Sequence, residues 1–449
     1  MQTHTKSNLS CEAGMGVELR DERSLTVLQA LRKRLREHPL ARVGPGLITG
    51  VADDDPSGVV TYAQAGAQYG FNMLWTMPLA FPLMGAMQLV CARIGRVTGK
   101  GLAANIGTAF PPMVLRAVIV LLLVANTLNI AADLAAMGEV AELVSGADRH
   151  WMTIAFALGT LLLQVFVPYH RYVVFLKWLT VSLLAYAAVL ITVHVPWRLV
   201  ALRTVWPEFS IDASSAAVVV GVFGTTISPY LFFWQTSEEV EEMERTPGAV
   251  PLINDQSAAR VELRRIGWDT WTGMFYSDIT AYFVMLSTAV TLHAAGIHSI
   301  ETAAQAADTL RPLAGDLAYV LFSVGIVSVG LIGVPVLAGS GAYALSEAMH
   351  WNEGLERTPR SALGFYGIIT LSMLAATAIQ YSPINPMKAL FWSAVINGVV
   401  AVPLMAVVLL LATRKSVMGR FTASWPILAL GWIATGVMCA AAVVMLFAR

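Results

Sequence analysis

Apolar stretches long enough to cross a bilayer recur from about residue 44 to the end of the chain, and that repetition removes most folds from consideration. A hydrocarbon core about 30 Å thick needs about 20 predominantly apolar residues per helix. Eleven stretches of that kind can be drawn, at 44–69, 73–93, 113–144, 152–168, 172–195, 214–236, 272–295, 315–348, 361–380, 386–412 and 425–447. They are continuous rather than alternating, which favours helices over a closed barrel. The expected fold class is an all-α polytopic membrane protein with eleven transmembrane helices. With 56% hydrophobic and only 13% charged residues, the composition agrees.

Lysine and arginine together balance aspartate and glutamate, 29 against 29. No nucleic-acid or acidic partner is implied, and no obligatory protein partner is evident. Cys11, Cys91 and Cys439 form a scattered set that fits neither a disulfide framework nor a zinc spacing. Residues 1–43 are charged and lack the apolar core of a signal peptide. Within them Leu25, Leu28, Leu31 and Leu35 recur at helical spacing among Arg32, Lys33, Arg34 and Arg36. This reads either as an interfacial amphipathic helix or as a tail without fixed structure. Residues 44–449 then form a single transmembrane domain. If the N-terminus is cytoplasmic, 23 of the 29 Lys and Arg residues fall on the inner side. The C-terminus is then extracellular or periplasmic, and the expected location is the cell membrane.

Two of the spans carry helix-breaking centres. The first contains Ala52-Asp53-Asp54-Asp55-Pro56-Ser57-Gly58, and the sixth contains Gly224-Thr225-Thr226-Ile227-Ser228-Pro229-Tyr230. A carboxylate at the bilayer centre costs roughly 2.5–3.5 kcal/mol on insertion scales. No Lys or Arg lies between Gly44 and Tyr69 to neutralise the three acids. Proline removes a backbone donor, and freed backbone groups survive at membrane depth only where they line a cavity or are buried in protein. Either proline alone reads as an ordinary kink. Together, in spans one and six, they point to a five-plus-five inverted repeat, about 44–195 and 214–412, with an extra helix at about 425–447. The ligand expected between the breaks is a cation, held by carboxylates and freed carbonyls.

At these breaks the sequence resembles the Nramp divalent-metal transporters. Their first helix carries Ala-x-x-Asp-Pro-Gly-Asn, matched by Ala52 to Gly58, and their sixth Ala-Thr-Val-Met-Pro-His, matched by Thr225 to Tyr230. Their third carries Ala-Thr-Asp-Leu-Ala-Glu, matched by Ala131-Ala132-Asp133-Leu134-Ala135-Ala136. The resemblance implies a leucine-transporter-like fold, no resident cofactor, and divalent metal ions as substrates moved through the lipid bilayer. Carried over by position, Asp55 is the central ligand, and Ala52 and Thr225 are backbone-carbonyl ligands. The family's asparagine is Gly58 here, its methionine Ser228, its histidine Tyr230 and its third-helix glutamate Ala136. That pattern is similar to the Nramp-related magnesium transporters, a branch that lost the soft ligand.

A thioether favours soft or borderline metals, whereas Ser228 leaves oxygen donors only. Magnesium takes oxygen ligands at about 2.0–2.1 Å, dehydrates reluctantly and uses one or two carboxylates. Asp54 is the expected second or water-mediated ligand, and Asp53 either joins it or caps and solvates the break. Successive helical residues rotate by about 100°, so only an unwound stretch could aim several of these acids at one ion. On span ten, Asn397 either faces the site or makes an interhelical hydrogen bond, with Ser393 beside it. Asp133 either attracts cations or is satisfied by Asn126 and Asn129 on its own helix. Asp278, Glu347 and the acidic run from Glu238 to Glu244 read as structural partners or a solvated helix end. None of the eight histidines falls mid-membrane. With Tyr230 and Ala136 at the family's titratable positions, transport uncoupled from protons is expected. A divalent ion gains about 4.6 kcal/mol from 100 mV.

The expected function is secondary transport of magnesium and manganese by alternating access. One alternative is a proton-coupled manganese or iron symporter, against which the missing methionine and histidine argue. A sodium-coupled amino-acid transporter of similar architecture is another, but three acids would repel a substrate carboxylate. An enzyme is not indicated, because no His-Glu-x-x-His, Gly-x-Ser-x-Gly or phosphate-loop pattern is present.

Overall fold

The structure is a computed structural model that describes residues 44–167, 180–208, 212–355, 357–379, 381, 383 and 385–447. The expected N-terminal amphipathic helix and the first part of the expected fifth span lie outside the described residues.

Among the described residues every regular element is a helix. In chain order the main ones are α1 (Pro45–Asp53), α2 (Pro56–Tyr69), α3 (Thr76–Thr98), α4 (Leu102–Ala109), α5 (Pro112–Ser145), α6 (Arg149–Phe166) and α7 (Leu184–Thr192). They continue with α8 (Trp197–Val205), α9 (Ala213–Thr226), α10 (Pro229–Arg245), α11 (Ala259–Thr288), α12 (Ala318–Met349), α13 (Leu363–Ile379), α14 (Pro386–Thr413) and α15 (Trp425–Phe447). Among the described residues, seven helical stretches are long and apolar enough to cross a membrane. The broken pair α1/α2, with α6, α7 and α13, occupies the remaining expected spans. The fold is a leucine-transporter-like helical bundle whose first and sixth helices are each split in two.

Both splits have the same local cause. Pro56 and Pro229 open α2 and α10 rather than interrupt a continuing helix. At the first helical position the missing N–H costs nothing and the fixed φ is already helical. The residue before each proline is driven out of the helical region. Asp55 has φ −68° and ψ 170°, and Ser228 has φ −70° and ψ 129°.

Glycines set how closely the broken helices meet their neighbours. A Cβ at Gly50 would stand 2.2 Å from the Gly273 carbonyl oxygen, and one at Gly273 would stand 2.2 Å from that of Gly46. The backbone of α1 therefore lies directly on that of α11, as small residues permit between membrane helices. The Gly46 N–H donates to Asp269 Oδ2 at 2.7 Å, so α11 also satisfies an orphan donor at the start of α1. Gly224 and Gly398 bring α9 onto α14 in the same way, and Gly333 of α12 comes up against Asp55.

The acidic run on α10 departs from the expectation of a solvated helix end. Glu238, Glu239 and Glu241 are buried, and only Glu242 and Glu244 reach the surface. The burial is tolerated because partners converge on it. Arg265 donates to Glu239 at 2.8 Å, while the Leu355 N–H at 3.0 Å and the Tyr343 hydroxyl serve Glu241. From Glu239 the chain of contacts runs through Gln235 at 3.4 Å to Thr49 of α1 at 2.5 Å. Polar side chains thus join α1, α10 and α11 at one end of the bundle.

Candidate metal site at the two helix breaks

Asp55 sits where the first break meets α5, α10 and α12, and it is 1% exposed. As N-cap of α2 its Oδ1 accepts the Gly58 N–H at 2.7 Å and the Ser57 hydroxyl at 2.7 Å. Its Oδ2 accepts Asn129 Nδ2 at 2.9 Å and the Tyr230 hydroxyl at 3.2 Å. Four donors from three helices therefore hold this carboxylate without a cationic side chain.

Asp53 and Asp54 face elsewhere. Asp53 Oδ2 and Asp54 Oδ1 meet the Ser277 hydroxyl of α11 at 2.7 and 3.0 Å. The geometry brings Asp53 and Asp54 together but does not bring Asp54 to the partners of Asp55. Asp53 is buried rather than solvated.

The second break closes on itself. The Ser228 hydroxyl reaches the Thr225 carbonyl at 2.5 Å and the Gly224 carbonyl at 3.1 Å. Tyr230 spans both breaks, because its hydroxyl also lies 3.5 Å from the Ala52 carbonyl. The two carbonyls carried over as ligands are thus each covered by a hydroxyl. Gly58 allows the breaks to approach, since a Cβ there would stand 2.9 Å from Thr225 Oγ1.

Around this core lie buried polar atoms without hydrogen-bond partners, Asn129 Oδ1, Thr225 Oγ1 and both amide atoms of Asn397, while Asp133 has only the Ser57 N–H near it. The idea that Asn126 and Asn129 satisfy Asp133 does not hold. Asn129 donates to Asp55, and Asn126 donates to the Leu337 carbonyl and Ser340 of α12. Buried polar groups are nearly always paired, so a cluster of exceptions calls for water or an ion. The Ser393 hydroxyl turns back to the Leu390 carbonyl of its own helix. A cavity of about 680 Å³ lies between α5, the start of α6 and α14, lined in part by Ala131, Ala132 and Ser393. It comes within a residue of Asp133 and one helical turn of Asn397. No three acidic, histidine or cysteine side chains converge among the described residues. The side chains here could therefore offer an ion one or two carboxylates, not a cage of three.

Asn129 is expected at Asp133 and is found at Asp55, and Ser277 is a partner the sequence reading does not include. Asn129 had a signal, since it lies one helical turn before Asp133. The only hint at Ser277 was its place beside Asp278, a rare charge within a span.

A helical bundle with two split helices and carboxylates at the split has the architecture of secondary transporters, whose substrate sites lie between such split helices. The family model described as Nramp, natural resistance-associated macrophage protein-like, matches residues 46–448, and the chain belongs to that family. Its members are transporters rather than enzymes, and their metals are cargo. Similar sequences include the divalent metal cation transporter MntH of Acidiphilium cryptum (strain JF-5), 27% identical over 405 residues, covering 85% of this chain and 84% of that protein. The MntH of Pectobacterium carotovorum subsp. carotovorum (strain PC1) is 28% identical over 322 residues, covering 70% and 74%. Among solved structures, the Eremococcus coleocola manganese transporter has a similar fold, with a TM-score of 0.70 at 16% identity, covering 91% of this chain and 86% of that one. Mhp1, a nucleobase-cation-symport-1 family transporter, has a TM-score of 0.57 at 11% identity, covering 90% and 92%.

Proposed function

We propose that this protein is a secondary transporter of divalent metal ions, carrying Mg2+ and Mn2+ by alternating access without coupling to protons. The observation that carries the reading is Asp55, a fully buried carboxylate between two split helices whose partners are neutral N–H and O–H donors. Asp55 is the central ligand. The Ala52 and Thr225 carbonyls become ligands once an ion displaces the hydroxyls of Tyr230 and Ser228. Gly58 leaves the room a partly hydrated ion needs, while Asp54, which meets Ser277 of α11, stands apart from the contacts of Asp55. Asp133 attracts the approaching ion, and Asn397, a buried amide without a partner, supports the site from α14.

The preference for magnesium rests on the donor chemistry. The side-chain atoms that hydrogen-bond Asp55 come from Ser57, Asn129 and Tyr230, and Ser228 stands where the family carries a thioether. Oxygen sites suit Mg2+ and Mn2+, while a missing sulfur removes the advantage of softer ions. Absence of coupling rests on Tyr230 and Ala136, neither of which titrates near neutral pH. The protein lies in the cell membrane with its N-terminus cytoplasmic and its C-terminus outside, as the lysine and arginine bias implies.

The test is uptake into proteoliposomes that enclose a pH dye, with Mg2+, Mn2+ and Cd2+ compared. Uptake of Mg2+ and Mn2+ without acidification is expected. Uptake of Mn2+ or Cd2+ with acidification and no Mg2+ flux would replace this reading with a proton-coupled symporter.

A further inference from the structure

We infer that Asp53, Asp54 and the Ser277–Asp278 pair of α11 form a second cation station, separate from Asp55, that holds a hydrated divalent ion between α1 and α11. The inference rests on the divalent-ion reading above. It begins with a shortage of donors. Ser277 Oγ lies 2.7 Å from Asp53 Oδ2 and 3.0 Å from Asp54 Oδ1. A hydroxyl carries one hydrogen, so it donates to only one of them. The other contact sets two oxygens together with nothing between.

The surroundings deepen the shortage. Asp53 Oδ1, Asp54 Oδ2 and Asp278 Oδ1 are buried and have no hydrogen-bond partner. Among the described residues, no Lys or Arg neighbours Asp53 or Asp54; the charged groups around them are carboxyls, Asp55 and Asp278 among them. Outside the cluster, on α2, the Tyr62 hydroxyl is fully buried and unpartnered, in the field of Asp53, Asp54, Asp55 and Asp278. An unused hydroxyl beside three underserved carboxyl groups marks a space meant for something polar and positive. Asp55, one residue away, has four donors and shows no such need. The two groups also look in different directions, Asp55 toward α5 and α10, and Asp53 and Asp54 toward α11.

The occupant is a hydrated divalent ion rather than a bare one, because no three carboxylates converge closely enough to enclose it. Magnesium keeps several waters and uses one or two carboxylates, which matches Asp53 and Asp54 with Asp278 and Tyr62 reached through water. The station is assembled only while α1 lies on α11, where Gly50 meets Gly273. A ligand shifts an equilibrium toward the state it binds better. An ion here therefore favours the docked state of α1 and is released when α1 swings away.

Counting Mn2+ by electron paramagnetic resonance on the full chain in nanodiscs tests this. Wild type should bind two ions per chain, and a monodisperse Asp55→Ala variant should keep one. Adding Asp54→Asn should remove that one. If the combined variant does not fold, Ser277→Ala in the Asp55→Ala background should weaken the retained ion about tenfold, the scale of losing an orienting partner. A proton shared by Asp53 and Asp54 would also fill the gap at Ser277. It predicts no second ion, so a wild type that transports Mn2+ but binds only one sinks the station and leaves the transport reading standing. Unchanged affinity in Ser277→Ala sinks it too. A wild type that neither binds nor transports Mn2+ ends both.

Discussion

The two helix breaks share a backbone solution and differ in everything their side chains do. At the first, three acids reach outward to α5, α10 and α11 for partners. At the second, the Ser228 hydroxyl turns back onto the Gly224 and Thr225 carbonyls of its own helix. One break supplies charge and depends on neighbouring helices to hold it. The other supplies dipoles and satisfies itself until something displaces the internal bond. The lesson is a division of labour. On the function proposed above, the first break decides that a cation binds, and the second decides how much of its water shell must be replaced. Tyr230 belongs to the second break but donates to Asp55, so it is where the two meet.

The largest effect should come from removing the charge of the first break. Asp55→Asn keeps the size and some of the hydrogen bonding but loses the anionic ligand, and Mn2+ uptake into proteoliposomes should fall to background. Residual uptake above a tenth of wild type would shift the burden of binding to Asp54 or Asp133 and undo the contrast between the breaks. The next effect concerns the contact between α1 and α10. Glu239 of α10 has a fully buried side chain paired to Arg265, which is 27% exposed. Arg265→Ala strands that carboxylate and should cost about 3 kcal/mol, the lower end for a broken buried pair, because Gln235 remains beside it. A thermal unfolding scan should show the lowered midpoint, and cysteine labelling at Thr49 should show α1 more accessible. Unchanged labelling would mean that the glycine contacts with α11 hold α1 unaided.

Much of this was legible in the sequence, for reasons that can be named. The prolines at 56 and 229 fix the split positions because each excludes its predecessor from helical geometry, whatever surrounds it. The long apolar runs fix the spans because the bilayer thickness does. What a linear reading could not supply is which helix each acid meets. Asp53 and Asp54 were assigned to the ion of Asp55 or to the solvent, yet both contact Ser277, more than 220 residues away. The same gap misread Glu238, Glu239 and Glu241. A run of acids looks solvated until Arg265 and Tyr343 come from other helices to meet it. Local backbone rules are written in sequence, whereas the satisfaction of a buried charge is a property of three or four helices at once.

The smaller predictions probe the second break. If hydroxyls cover the Thr225 and Ala52 carbonyls in the empty site, an entering ion must displace them, and deleting a cover should help the ion. Ser228→Ala removes the 2.5 Å contact to the Thr225 carbonyl. A hydrogen bond of this kind is worth about 1 kcal/mol net, so Mn2+ affinity should tighten about fivefold. Tyr230→Phe should act in the same direction but less, about twofold, because its contact to the Ala52 carbonyl is 3.5 Å and at the margin of a hydrogen bond. It also frees Asp55 Oδ2 from a donor at 3.2 Å that an ion would otherwise replace. Isothermal titration with Mn2+ reads both variants. A tenfold weakening in either would mean that the hydroxyl is itself a ligand and not a cover. The second break would then hold the ion as directly as the first, and the two would differ only in charge.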